Sequence, residues 1–150
     1  MRVVLQRVSE AQVISEGQVL ASQGPGFLIL LGITTEDGST DIDWLVRKIC
    51  GMRIVPDSEG KMNNALTDIQ GEVTVVSQFT LYASCKKGNR PSFLTAAKPE
   101  IAETLYESFC NQLSESLGSP VGRGKFGADM KVSLINDGPV TIQLDSHRPE

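Results

Sequence analysis

The sequence predicts an α+β domain in which a mainly antiparallel sheet is covered by two helices, and three observations predict it. Val- and Leu-rich segments of strand length open the chain (Arg2–Ile14) and close it (Met130–Ile135 and Val140–Leu144). Two other stretches, one opening at Asp41 and one at Pro99, repeat apolar residues at helical spacing. Between them the segments follow one another in the order β-β-β-α-β-β-α-β-β, with turn residues at the junctions. At 150 residues the chain has the size of one domain. A fold of that size needs no disulfide or metal to be stable.

Taken in order, Arg2–Ile14 and Gln18–Ala21 flank the turn Ser15-Glu16-Gly17 and read as a hairpin. Gly24-Pro25-Gly26 punctuates, and the continuous apolar run Phe27–Ile33 is a buried central strand. Ser39 or Thr40 is the expected cap of a helix that opens with Asp41 and Asp43, acids suited to the positive end of its dipole. Ile42, Leu45, Val46, Ile49 and Met52 share one face of it. Arg53–Val55 is a short strand closed by the turn Pro56–Gly60, and Glu72–Tyr82 follows a polar loop as a longer strand. Ser84–Ser92 is a loop by composition. Pro99 suits the first turn of a second helix, whose apolar positions are Ile101, Leu105, Phe109, Leu113 and Leu117 and which Gly118 stops. Asn136-Asp137-Gly138-Pro139 joins the last two strands as a turn, and the tail after Asp145 is expected to fray.

Composition narrows the chemistry. The apolar content of 40% and charged content of 21% are those of an ordinary globule. A net charge of −4 argues against an indiscriminate nucleic-acid binder and leaves room for a local basic patch. Cys50, Cys85 and Cys110 are odd in number and far apart, so neither a zinc site nor a disulfide framework is indicated, and free thiols suit a reducing cytoplasm. Gln6 and Arg7 break the first apolar run, against a signal peptide, and Phe27–Leu31 is too short to span a bilayer. The one histidine, His147, lies in the tail, so no Ser-His-Asp or Cys-His machine is available and no metal or other cofactor is expected. Gly122-Arg123-Gly124-Lys125-Phe126-Gly127 matches a dinucleotide fingerprint in letters only, because a helix precedes it and a strand follows.

Three segments carry chemistry. Ser77-Gln78-Phe79-Thr80 ends a β-run with three hydrogen-bonding side chains, which by periodicity is the solvent side of a strand but by position, running into a glycine-containing basic loop, is a place where sites gather. Lys86, Lys87 and Arg90 lie within that loop, either merely solvated or contacting phosphates, with Arg123 and Lys125 able to extend the patch. In Asn136-Asp137-Gly138-Pro139, the proline removes a ladder donor where a strand is to begin, which an ordinary hairpin turn avoids.

Together these segments resemble the D-aminoacyl-tRNA deacylase (D-tyrosyl-tRNA(Tyr) deacylase) family from residue 1 to about 145. Arg7–Val13, Ser77–Ala83, Gly88–Phe93, Phe126–Met130 and Asn136–Thr141 match it in order, with Ser84 departing from an acidic residue expected in many relatives. The resemblance implies a barrel-like sheet and a homodimer with active sites at the subunit interface. It implies hydrolysis of the ester between a D-amino acid, or glycine, and tRNA, with L-aminoacyl-tRNA rejected. Ser77, Gln78, Phe79 and Met130 would line the substrate pocket, and Thr80 would be the catalytic candidate. Gly138 and Pro139, joined by a cis bond, would enter the partner's pocket, and Lys86, Lys87 and Arg90 would meet the RNA. The aminoacyl-tRNA and a second copy of the chain are the expected partners, with no membrane involved. The rival readings are a non-catalytic tRNA-binding module and a generic small-molecule esterase, the latter opposed by the missing triad.

Overall fold

The computed structural model describes residues 1–149. Its spine is β1 (Arg2–Ser15), long enough to be paired twice over. One edge of β1 runs antiparallel to β8 (Lys131–Asp145) from end to end. The other edge is divided between β3 (Gly26–Gly32), which faces Arg2–Val8, and β2 (Gln18–Gln23), which faces Ala11–Ser15. From β3 the sheet continues through two parallel pairs, β3 with β6 (Glu72–Ser77) and β6 with β7 (Gly122–Arg123). The sheet is therefore mixed rather than simply antiparallel, and it curls nearly into a barrel. At the closing side, a Cβ on Gly122 would lie only 3.2 Å from that of Ala21 in β2.

The parallel pairs account for the helices. Parallel neighbours need a crossover of a dozen or more residues, usually helical. α1 (Ser39–Gly51) and α2 (Pro99–Leu117) provide the two crossovers and pack on one face of the sheet. Val3 and Leu5, Phe27, Ile29 and Leu31, and Val73 and Val75 alternate onto that face and meet Ile42, Leu45, Ile49, Tyr106, Phe109 and Leu113. The other face carries a thinner cluster: Val8, Ala11, Val13, Leu28 and Val76 are buried, while Leu30, Met130, Val132 and Leu134 beside them are only partly covered.

Several expected boundaries move. The residue capping α1 is Gly38, not Ser39 or Thr40, and the Asp41 carboxylate accepts its N–H at 2.9 Å. On α2 the buried face is Ala102, Tyr106, Phe109, Cys110 and Leu113, leaving Ile101 exposed, because a strict spacing of four drifts around a helix of 3.6 residues per turn. The short strand is β4 (Val55–Pro56), and it pairs with β5 (Met62–Asn64) inside the presumed polar loop. The tail expected to fray is tied at Ser146, whose N–H donates to the Met1 carbonyl at 2.9 Å.

The largest difference lies at the end of the chain. Lys131–Asp145 is not a hairpin: both halves pair with β1 as one antiparallel strand. Gln6 faces Thr141 and Val8 faces Asn136, so Asp137–Val140 is extruded from the ladder opposite Arg7 alone. Proline fits there because an extruded segment has no ladder donor to lose.

Candidate active site

β6 does not continue to Tyr82. Its partner β3 ends at Gly32, and after Gln78 donates its N–H to the Leu31 carbonyl at 2.8 Å the chain turns into one 3₁₀ turn, Phe79–Tyr82. Gly32 makes this possible: a Cβ there would sit 2.9 Å from the Leu81 Cβ and 3.1 Å from the Gln78 carbonyl oxygen. The alternating strand face expected for Ser77–Thr80 is thus replaced by a turn. Phe79 and Thr80 open that turn, where backbone N–H groups have no acceptor within the helix. The Gln78 side-chain amide donates to the Thr80 hydroxyl at 2.5 Å.

A cavity of about 610 Å³ opens beside the turn. Ser77, Gln78, Phe79 and Met130 line it with Ile33, Phe93, Ala96 and Phe126, while Thr80 lies on the exposed side of the turn. Gly124 lets Met130 in, since a Cβ at that glycine would meet the Met130 sulfur at 2.6 Å. The glycine-rich stretch after α2 thus forms β7 and then a wall of the cavity, through Phe126, Gly127 and Ala128. Phe93 packs edge-on against Phe79, ring centroids 5.1 Å apart.

Phe93 also follows the basic loop. Ser84 and Ser92 exchange backbone hydrogen bonds at 2.8 and 2.9 Å and close its base, leaving Lys86, Lys87 and Arg90 exposed at the tip. Arg123 does not extend this patch, being committed to Glu107 and Asn111 on α2, and Lys125 pairs with Glu16 at 3.6 Å.

The second signature sits on β8. The Gly138–Pro139 peptide is cis, and Gly138 has φ +132°. Asn136 braces the extrusion from within, its side-chain oxygen accepting the Val140 N–H at 2.9 Å and its amide donating to the Thr141 hydroxyl at 3.0 Å. Arg7, only 8% exposed, braces it from below. Its guanidinium donates to the Asp137 carbonyl at 3.0 Å and the Ile54 carbonyl at 2.6 Å, and pairs with the Asp137 carboxylate at 3.4 Å. Sequence reasoning placed Arg7 in a strand and gave it no role; an arginine in the alternating run of an otherwise apolar strand was the available signal.

Within one chain the two signatures do not meet. Asp137–Val140 lies opposite Arg7, in the row of Phe27 and Val73, whereas Ser77 lies in the row of Leu31 and Val3. From Val3 to Arg7 is four residues and from β8 to β6 is three strand spacings, roughly 13 Å by 14 Å at standard dimensions.

Other reactive groups are quiet. Burial pushes the Cys110 thiol up to about 12 and also raises Cys50, so neither is a thiolate at neutral pH. Burial, helped by the Asp37 and Asp145 charges, raises the Tyr82 hydroxyl far above its ordinary value. Asp37, Asp41 and His147 come together with ligand atoms within 4.8 Å, a grouping the sequence reading did not find. The Met1 α-ammonium already sits on Asp37 there, at 2.5 Å.

Fold and site define a class: a small mixed-sheet domain with both helices on one face and a backbone-rich, histidine-free pocket at a strand end. The D-Tyr-tRNA(Tyr) deacylase family model matches residues 4–145, and the chain belongs to that family. It is 57% identical over 150 residues, the whole of both chains, to a D-aminoacyl-tRNA deacylase of Bacteroides thetaiotaomicron. It is 58% identical over 146 residues, 97% of each, to one of Christiangramia forsetii. A solved c-Myc DNA unwinding element binding protein superposes with a TM-score of 0.91 at 42% identity, covering 97% of this chain and 98% of that one. A probable eukaryotic D-amino acid tRNA deacylase shares the fold at a TM-score of 0.80 and 18% identity, covering 95% of this chain and 97% of its own. No helix among the described residues is long and apolar enough to cross a membrane.

Proposed function

We propose that the chain hydrolyses the ester joining a D-amino acid, or glycine, to the terminal ribose of tRNA, and spares L-aminoacyl-tRNA. Family membership carries the coarse part: the chain is a tRNA-editing hydrolase of the D-aminoacyl-tRNA deacylase type. The observation that carries the finer part is the separation of a strand-end pocket from a rigid Gly138–Pro139 tip on the same chain.

In this reading the scissile ester lies over Phe79 and Thr80, whose outward N–H groups stabilise the oxyanion without a histidine. Among the described residues the Thr80 hydroxyl is held by the Gln78 amide, which is not a base, so in this reading the substrate's own 2′-hydroxyl activates the attack and Thr80 positions it. The lysines and arginine at the loop tip take the phosphates, a local positive patch on an acidic chain. The reaction belongs to the cytoplasm, where charged tRNA is used.

Chirality demands more than an apolar pocket, which separates close analogues by only about 1–3 kcal/mol. Backbone carbonyls of Gly138 and Pro139, delivered by a second copy, hold the substrate α-ammonium so that an L side chain meets a wall. The half-covered face with Leu30, Val132 and Leu134 gives that second copy an apolar surface to meet.

Matched D- and L-aminoacyl-tRNA test the reaction: D-ester cleavage with L-ester spared is expected. Binding of any tRNA with no cleavage would mean a non-catalytic RNA-binding module instead. A mixing experiment tests the shared site. Combining a Gly138→Ala subunit with a Gln78→Ala subunit should restore about a quarter of wild-type activity, because half the dimers are mixed and each has one intact site. No recovery, or a monomer that retains activity, overturns it.

A further inference from the structure

The 3₁₀ turn Phe79–Tyr82 is held differently at its two ends. Its entry is tied by backbone, the Gln78 N–H donating to the Leu31 carbonyl. Its exit is tied by side chains. The Thr95 hydroxyl donates to the Tyr82 carbonyl at 3.2 Å, and the Arg2 guanidinium makes three further attachments. Nη1 donates to the Leu81 carbonyl at 3.0 Å, Nε donates to the Asp145 carboxylate at 2.9 Å, and the guanidinium carbon lies 4.5 Å from the centroid of the Tyr82 ring. In the sheet register Arg2 stands between Gly32 on β3 and Asp145 on β8. The missing side chain at Gly32 lets Leu81 and Tyr82 come down onto this row, since a Cβ there would lie 2.9 Å from the Leu81 Cβ and 3.3 Å from the Tyr82 ring.

We propose that Arg2 is a positioning residue for the hydrolysis: it touches no substrate, and it fixes the exit of the turn whose entry presents the Phe79 and Thr80 N–H groups. The assignment rests on the proposed function, in which those two groups stabilise the oxyanion. Donors of this kind work by being aimed in advance, so a turn free to shift loses rate rather than binding. A single 3₁₀ turn has little hydrogen bonding of its own to resist such a shift. Packing does not replace the guanidinium either. A second cavity, of about 400 Å³, shares no lining residue with the first and is bounded by Arg2, Leu81, Trp44 and Asp145. On that side the turn is held by a polar bridge across open space. Tyr82, only 7% exposed, gives the guanidinium a fixed surface to lie on, and Asp145 sets its direction.

The test compares wild type, Arg2→Lys and Arg2→Ala in single-turnover cleavage of D-aminoacyl-tRNA, in tRNA binding and in melting. Arg2→Ala should cleave roughly tenfold more slowly, with the Kd for tRNA changed by less than about twofold. Melting should fall by no more than about 4 °C, because the ion pair lost is partly exposed. Arg2→Lys should lie between, at about a threefold loss, since an ammonium lacks the fork that serves Leu81 and Asp145 together. Millimolar guanidinium, entering the cavity that the truncation enlarges, should restore part of the rate of Arg2→Ala and leave wild type unchanged. Should Arg2→Ala fail to fold, the rate and Kd of Arg2→Lys decide. A wild-type rate in the folded variant, a loss confined to Kd or melting, or a slowed Arg2→Ala that guanidinium does not restore overturns the assignment alone. A wild type that does not cleave D-aminoacyl-tRNA overturns the proposed function, and this assignment with it.

Discussion

The end of β6 and the middle of β8 both interrupt a strand, yet they are held in opposite ways. At β6 the interruption is made by backbone: the partner strand stops, Gly32 clears space, and a 3₁₀ turn closes beside a cavity. At β8 it is made by side chains: Asn136 spans the extrusion and a buried Arg7 grips it from the neighbouring strand. The first has a cavity and the second a rigid tip. In the proposed function, the receptacle and the gate are these two pieces, which one chain keeps apart.

The strongest way to break this comparison is at Gly138. Gly138→Ala would put a methyl 2.7 Å from the Val140 side chain and 2.9 Å from the Arg7 guanidinium, at a φ of +132° that alanine avoids. Cleavage of D-aminoacyl-tRNA should fall roughly 10- to 100-fold, the loss of one charged hydrogen bond to the substrate, with melting lowered by a few degrees. Full activity in the folded variant would reduce the extrusion to an ordinary bulge.

Arg7→Lys keeps the charge but loses the fork that reaches the Asp137 and Ile54 carbonyls together. About a tenfold fall in kcat/KM is expected, with the pocket end of the molecule unaffected in tRNA binding. A variant that binds tRNA less well but cleaves at the normal rate would assign Arg7 to the fold alone.

At the other region the expected effects are smaller. Replacing Lys86, Lys87 and Arg90 with Ala should flatten the salt dependence of tRNA binding by up to about two in slope while leaving D/L discrimination intact. An unchanged slope returns the loop to plain solvation. In the proposed mechanism, where the substrate hydroxyl does the activating, Thr80→Val should lower kcat by less than about tenfold. Loss of several orders of magnitude would make Thr80 the nucleophile.

Smallest is the response to acid. Burial works against the charged form of Asp41 and Asp145, but hydrogen bonds from Ser146 and Gly38 to Asp41, and from Arg2 and His147 to Asp145, outweigh it and hold both below the ordinary 3.8. A depressed carboxylate contributes stability that is present above 3.8 and lost as pH falls through the folded value. Melting should therefore be flat from neutral pH to about 4.5 and decline only below 3.8, modestly because both groups are partly solvated. A steep decline already above pH 5 would assign the acid sensitivity elsewhere.

Local pattern by itself determined much of this protein. The unbroken apolar run at Phe27 and the spacing of Ile42, Leu45, Val46 and Ile49 name a buried strand and the buried face of α1, while Met52, assigned to the same face, is the cap of the helix and lies outside that core; periodicity reports which side of an element meets the core. The segments around Ser77 and Gly138 were recognisable by their residues. Which neighbour an element pairs with was decided only in three dimensions. Met130–Ile135 and Val140–Leu144 have the same period whether they pair with each other or lie end to end on β1, and it is β1, some 130 residues distant, that sets the register. Arg7 becomes the brace of the extrusion, Met1 the partner of Asp37, and the end of β6 a turn rather than a strand for the same reason. Each depends on a hydrogen-bonding partner far along the chain, and sequence periodicity carries no information about that partner.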